Sequence, residues 1–183
     1  MSKIIILNGH PATGKSYFLQ KVEETIELPV ISKDIIKEKI GDSLTNINLQ
    51  LSQELGKASF DLIHYFILQM LKVGGNFVVE APLKPKFENE FFNDIYSKFR
   101  PDVFQIIFKA KPKTIEQRIK VRTNLRHQIH MDTERTISIT HEHVEEFGFL
   151  DIPSTKVTID TEALNTDIEL KKTLETIQKF LKN

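Results

Sequence analysis

The chain has 183 residues, a length that suits one compact α/β domain able to bury roughly two-thirds of its extended-chain surface. Lys plus Arg and Asp plus Glu both number 25, so there is no global field to hold a nucleic acid polymer or an anionic membrane, and any bound anion needs a local constellation. Cysteine is absent, which excludes disulfides, thiolate catalysis and cysteine-based zinc sites.

In chain order, Ile4 to Leu7 reads as a first strand. This apolar run is too short for a secretion signal and lacks a small-residue cleavage site. No stretch approaches the length of a membrane span, so the expectation is a soluble cytoplasmic protein. Lys15 to Thr25 is predicted as a helix, Pro29 to Ser32 as a strand, and a second helix starts near Ile35. A long helix is predicted from about Asn46 to Val73, with Leu51, Leu55, Ala58, Leu62, Phe66 and Met70 as its apolar stripe and Gly74-Gly75 as its stop. Then follow a strand at Phe77 to Ala81, a helix at Phe87 to Phe99 and a strand at Phe104 to Lys109. The chain closes with a helix at Lys113 to Leu125 on Ile115 and Ile119, a strand at Lys156 to Ile159, and a helix at Asp167 to Leu181. The apolar runs suit strands covered on both faces. The order β-α-β-α-α-β-α-β-α-β-α predicts a single domain over residues 1–183, an α/β fold with a parallel sheet flanked by helices.

Gly9-His10-Pro11-Ala12-Thr13-Gly14-Lys15-Ser16 fits the phosphate-loop pattern G-x-x-x-x-G-K-S/T at every required position. Glycines let successive N–H groups turn inward onto phosphate oxygens, Lys15 reaches the β- and γ-phosphates, and the Ser16 hydroxyl coordinates Mg²⁺. Gly9, Thr13, Gly14, Lys15, Ser16 and Tyr17 form the expected nucleotide-binding set, with ATP and Mg²⁺ as cofactors. A chance strand-to-helix turn is the bland alternative. The preceding apolar strand and the following helix argue against it, because they supply the loop's context and a helix N-terminus for the anion.

Two carboxylates stand at strand ends, where ligands of open α/β sheets gather. Glu80 ends Phe77-Val78-Val79-Glu80 and is a candidate for a Mg²⁺-bound water or for substrate; its bland reading is a solvated strand end. Asp34 follows the second strand and is a candidate to accept a proton from a substrate hydroxyl. Helix N-capping is its alternative. Arg118, Arg122 and Arg126 are spaced by four, which lines guanidinium groups along one side of a helix. Such a row suits the neutralisation of a transferring phosphate, and a lid carrying it would exclude water. A solvated basic face is the alternative. Lys57, Asp61 and His64 share a face of the long helix; Lys57 is a substrate-contact candidate, or the partner of Asp61 in an i,i+4 pair. Neither His127-x-x-His130 nor His141-Glu142-His143 has the spacing of an established zinc motif. Asp160-Thr161-Glu162 suits either a nucleotide-base loop or a plain turn.

Together, Gly9 to Ser16, Asp34, Arg118-x-x-x-Arg122, Arg126-His127-x-x-His130 and Ile159-Asp160-Thr161 resemble the small P-loop kinases grouped with adenylate-kinase-like kinases, near the gluconate-kinase and zeta-toxin groups. The resemblance implies a three-layer fold on a five-stranded parallel sheet ordered 2-3-1-4-5, with a short helical lid at approximately 118–135. It also implies that Asp34 is the base on the acceptor hydroxyl, and that Arg118 and Arg122 contact ATP and the transferring phosphate. Lys15, Asp34, Arg118 and Arg122 are therefore the catalytic candidates. Asp34, Lys57, Glu80 and Arg126 are the substrate-binding candidates, and Ser16 and Glu80 the metal-binding ones. Where many relatives read Arg-His-Pro-Gly-His, this chain reads Arg126-His127-Gln128-Ile129-His130, which changes the lid's turn. The expected reaction is transfer from Mg·ATP to a hydroxyl of a small molecule or nucleotide. An NTP-hydrolysing switch acting on a protein, or a zeta-toxin-like nucleotide-sugar kinase, are the competing readings.

Overall fold

The computed structural model describes residues 1–122, 126–131, 144–164 and 166–182. The elements are β1 (Lys3–Asn8), α1 (Lys15–Thr25), β2 (Val30–Ser32), α2 (Lys33–Gly41), α3 (Leu49–Lys72), β3 (Phe77–Glu80), α4 (Pro85–Phe99), β4 (Asp102–Lys109), α5 (Pro112–Arg122), β5 (Thr155–Asp160) and α6 (Thr166–Lys182). The sheet is wholly parallel, in the order β2-β3-β1-β4-β5.

Period-2 alternation in β1 sends its side chains into two separate cores. Ile4 and Ile6 join Ile63, Ile67, Leu71, Phe92 and Ile95 beneath α3 and α4. Ile5 and Leu7 join Phe18, Leu19, Val22, Leu170 and Ile177 beneath α1 and α6. All four residues of β3 are buried, as expected of a strand covered on both faces. β5 departs from that expectation: it pairs only with β4, and Ile159 alone is buried. An edge strand has one neighbour and one covering helix, so its outward side chains meet water.

The expected stripe of α3 is also corrected. The buried row is Ser52, Ser59, Ile63, Ile67 and Leu71, one residue away from the predicted row, while Phe66 is 42% exposed. One residue on a helix is about 100° of rotation. α3 carries two adjacent apolar rows, and periodicity does not say which meets the sheet. Ser52 and Ser59 keep the inner row narrow near α2, where Lys37 Nζ donates to Ser52 Oγ at 2.8 Å. α5 ends at Arg122 among the described residues; the predicted end at Leu125 lies outside them, as do His141 and His143. No helix among the described residues is long and apolar enough to cross a membrane.

Deleting a fully buried branched side chain costs about 2–5 kcal/mol. Ile67→Ala should therefore lower stability in urea melts by that amount, and Phe66→Ala by much less. Equal losses would restore the predicted stripe.

Candidate active site

The strand order places the carboxyl ends of β1, β2 and β3 side by side, and a cleft of about 500 Å³ opens there. Its lining includes Gly14, Lys15, Ser16, Tyr17, Lys33, Asp34, Glu80, Arg122, Arg126 and His130. The loop from β1 to α1 makes the floor. Gly9 (φ 140°) has to be glycine because a Cβ there would lie 2.4 Å from the Phe108 carbonyl oxygen. Gly14 (φ 99°) is the left-handed N-cap of α1. Thr13 Oγ1 donates to the His10 carbonyl at 2.7 Å and closes the turn. Lys15 is buried, its ammonium donating to the Gly9 carbonyl at 2.9 Å and to that of His10 at 3.1 Å. Burial pushes its pKa down, against the raising pull of Glu80 and Asp34.

Glu80 is 3% exposed, and Ser32 Oγ donates to Glu80 Oε2 at 2.7 Å. Burial raises its pKa, opposed by Lys15. Ser32 also accepts from Ile35 N at 3.4 Å and is the N-cap of α2, so Asp34 is not needed as the cap and sits in the first turn. Asp34 Oδ1 is 3.2 Å from Lys33 Nζ, and Oδ2 is 3.6 Å from Arg126 Nη2. Burial favours a higher pKa for Asp34, but Lys33, then His130, Arg126 and Lys15, bring it from 3.8 to about 2.

The three arginines separate. Arg122 and Arg126 line the cleft. Arg118 instead donates to Thr161 Oγ1 at 2.8 Å, to the Thr161 carbonyl at 3.0 Å and to the Ala12 carbonyl at 3.3 Å. It lines a neighbouring cavity with Gly14, Tyr17, Thr161 and Asp167. The loop after β5 is built rather than plain: Glu162 accepts from Lys111 N at 2.6 Å and from Thr114 Oγ1. Lys57 faces a further cavity with Asp61, and the i,i+4 pair between them is not formed. His64 pairs with Glu88 at 2.8 Å.

Sequence reasoning assigned no role to Lys33 or His130, although both line the cleft beside Asp34. His130 Nε2 meets Glu38 at 2.8 Å and His127 Nε2 meets Asp42 at 2.9 Å. Burial lowers the His130 pKa, as does Arg126. The one signal for this pairing is the spacing of Asp34, Glu38 and Asp42 by four along α2. Asn8 was also missed: its side-chain amide donates to the Leu83 and Gly148 carbonyls, and its oxygen accepts from Gly9 N and Leu83 N. Among the described residues there is no cluster of three or more His, Asp or Glu side chains able to hold a metal unaided. Ser16 and Glu80 face the same cleft, a donor set that suits a hard cation completed by phosphate oxygens and water.

A family model described as an AAA domain matches residues 4–145. A candidate kinase from Chloroflexus aurantiacus superposes with a TM-score of 0.84 at 22% identity, covering 97% of each chain. A gluconokinase from Sinorhizobium meliloti gives 0.58 at 12% identity, over 98% of this chain and 95% of its own. A shikimate kinase from Bacteroides thetaiotaomicron gives 0.53 at 13% identity, over 98% of each chain. At these identities the likeness is one of fold. No curated protein gives a significant match.

A carboxylate whose folded pKa lies below its ordinary value adds stability above pH ~4 that is lost as pH falls through about 2. Carboxyl-carbon NMR titration should place the Asp34 midpoint well below 3.8 and move it up in Lys33→Ala and Arg126→Ala. A midpoint near 4 in the wild type would remove the ion pairs from the account.

Proposed function

The chain belongs to the AAA-domain family, and from that premise we propose that it acts as a P-loop small-molecule kinase, transferring the γ-phosphate of ATP to a hydroxyl group of a small molecule. The observation that carries this reading is the convergence of Lys15, Asp34, Glu80, Arg122 and Arg126 on one cleft. A nucleotide switch needs a phosphate cradle and a water-positioning group. Here two arginines in cis and a carboxylate outside the cradle line the same cleft.

In this reading the N–H groups of Gly14, Lys15 and Ser16 at the start of α1 hold the β- and γ-phosphates, and Lys15 leaves its carbonyl partners for their oxygens. The cavity walled by Arg118, Tyr17 and Thr161 takes the nucleoside end of ATP. Ser16 and Glu80 would hold magnesium, which neutralises charge on the phosphates when bound. The acceptor oxygen attacks the γ-phosphorus, and the bond to the β–γ bridging oxygen breaks with its electron pair leaving on ADP. Asp34 accepts the hydroxyl hydrogen bond and takes the proton as the new bond forms. Arg122 and Arg126 face the equatorial oxygens where charge spreads. The end of α5 and residues 126–131 form the described part of a lid; the rest of the expected lid, 123–125 and 132–135, lies outside the described residues.

Removing a positioned proton acceptor typically costs ~10²–10⁴ in rate. Acceptor-dependent ADP release should fall by at least ~100-fold in Asp34→Asn, and Lys15→Ala should lose nucleotide-dependent turnover altogether. Wild-type turnover of an identified acceptor by Asp34→Asn would end the base assignment. Hydrolysis that needs no acceptor and rises with a protein partner would replace the kinase reading with a switch.

A further inference from the structure

Resting on the kinase reading, we propose that the acceptor is a nucleoside-type molecule, one that carries its reactive hydroxyl on a group joined to a flat heteroaromatic ring. A second cavity of about 500 Å³ adjoins the phosphate cleft and shares Pro11, Lys33 and Pro82 with it. That volume is within the ordinary range for a small-molecule site. A molecule seated there reaches the reacting centre past Lys33, the residue next to Asp34.

The walls of this cavity are aromatic. Phe60 comes from α3, Phe87 from the first turns of α4, and Phe147 from the segment before β5. Phe87 is 66% exposed, a large ring presented to solvent at the rim. Phe147 is braced edge-on by His10, with ring centroids 5.2 Å apart. Rings of this kind favour another ring in offset or edge contact, and they penalise a polyhydroxylated chain whose hydroxyls lose water against them.

The charges around the cavity sort into engaged and available groups. Lys84 is tied to Glu146 and lies over the Phe147 ring at 5.3 Å, while Glu88 is tied to His64. Lys57 and Asp61 line the cavity one turn apart on α3, and neither makes an ion pair with a described residue. They leave three donors and a carboxylate acceptor for the edge of a ring that alternates acceptors and donors. A free carboxylate would meet no arginine in this cavity; of its three lysines, Lys33 and Lys84 are paired with Asp34 and Glu146, and the Lys57 charge would be offset by Asp61. This disfavours a sugar acid as acceptor.

The test loads the protein with Mg·ADP, to fill the nucleotide side, and records saturation-transfer NMR with cytidine, uridine and guanosine at millimolar concentration. The expected result is transfer to the ring protons of at least one nucleoside. Its dissociation constant should rise about 2- to 10-fold in Phe87→Ala, the worth of one ring contact, while ADP affinity stays that of the wild type. Lys57→Ala should shift the preference among the three bases. No transfer to any ring, or binding indifferent to both Phe87→Ala and Phe60→Ala, overturns the inference. ADP release on adding a non-aromatic sugar acid, without nucleoside binding, overturns it and leaves the kinase reading standing. Nucleoside binding with those mutational effects, but no ADP release from ATP, supports the cavity's ligand class and removes the kinase reading instead.

Discussion

The cleft at the carboxyl ends of the strands depends on two groups of opposite sign, Lys15 and Glu80, both held out of water. Removing either from solvent is costly, and the cost is met only when hydrogen bonds and the partner charge replace the lost hydration. The Gly9 and His10 carbonyls serve Lys15, and the Ser32 hydroxyl serves Glu80. The carbonyls are available because Gly9 lets the loop pass against the Phe108 carbonyl, where any Cβ would collide. A backbone constraint between β1 and β4 thus determines whether the lysine can stay buried. On the proposed reading both groups would gain from ligand: a polyphosphate would offer Lys15 better acceptors than amide carbonyls, and a cation would favour the charged form of Glu80, against the effect of burial.

A second set of charges joins residues 126–130 to α2. Asp34, Glu38 and Asp42 recur every fourth residue along α2, and Arg126, His130 and His127 face them in turn. Between the two histidines, Ile129 is fully buried, its carbonyl accepting from Ser52 Oγ at 2.6 Å. Gly41 leaves room for this docking, since a Cβ there would sit 3.2 Å from both His127 and Ile129. This gives a physical meaning to the departure from Pro-Gly. Gln128-Ile129 stand at these two positions, and the isoleucine anchors the segment between α2 and α3 on the side of Ser52. Residues 126–130 and α2 are therefore held by one network rather than by separate contacts.

The fold was largely legible from the sequence because its strands are β-branched and apolar, and such runs have few other uses in a chain this polar. β3 and β1 could be read almost to the residue. The rotation of α3 could not, because Leu51-Leu55-Leu62 and Ile63-Ile67-Leu71 are equally apolar, and the choice rests on where the sheet lies. The phosphate loop was legible because its geometry demands rare residues at fixed offsets. His130 was not, because its contact with Glu38 arises from packing α2 against a segment 92 residues away; Lys33 was not, because its pair with the neighbouring Asp34 gains meaning only from the cleft that both line. Arg118 and Arg122 look equivalent by spacing, yet one is spent on Thr161 and the other faces the cleft.

The depressed pKa of Asp34 constrains how it can act. A carboxylate at about 2 is ionised at any working pH, so it is always ready to accept a hydrogen bond. It is also a poor base toward an ordinary alcohol, whose proton it could not hold in the ground state. The two facts are compatible if bond making to phosphorus runs ahead of proton transfer. In a loose transition state the nucleophile carries little positive charge until late, and its proton becomes acidic only as the new P–O bond forms. On the proposed kinase reading, Asp34 would then contribute mainly by orienting the hydroxyl oxygen along the line of attack. Lys33 and Arg126 hold its two carboxylate oxygens on different sides, which restricts rotation and leaves a defined lone pair for the acceptor. The same pairs that weaken Asp34 as a base sharpen it as a positioning acceptor, and alignment rather than basicity becomes the quantity the surrounding charges protect.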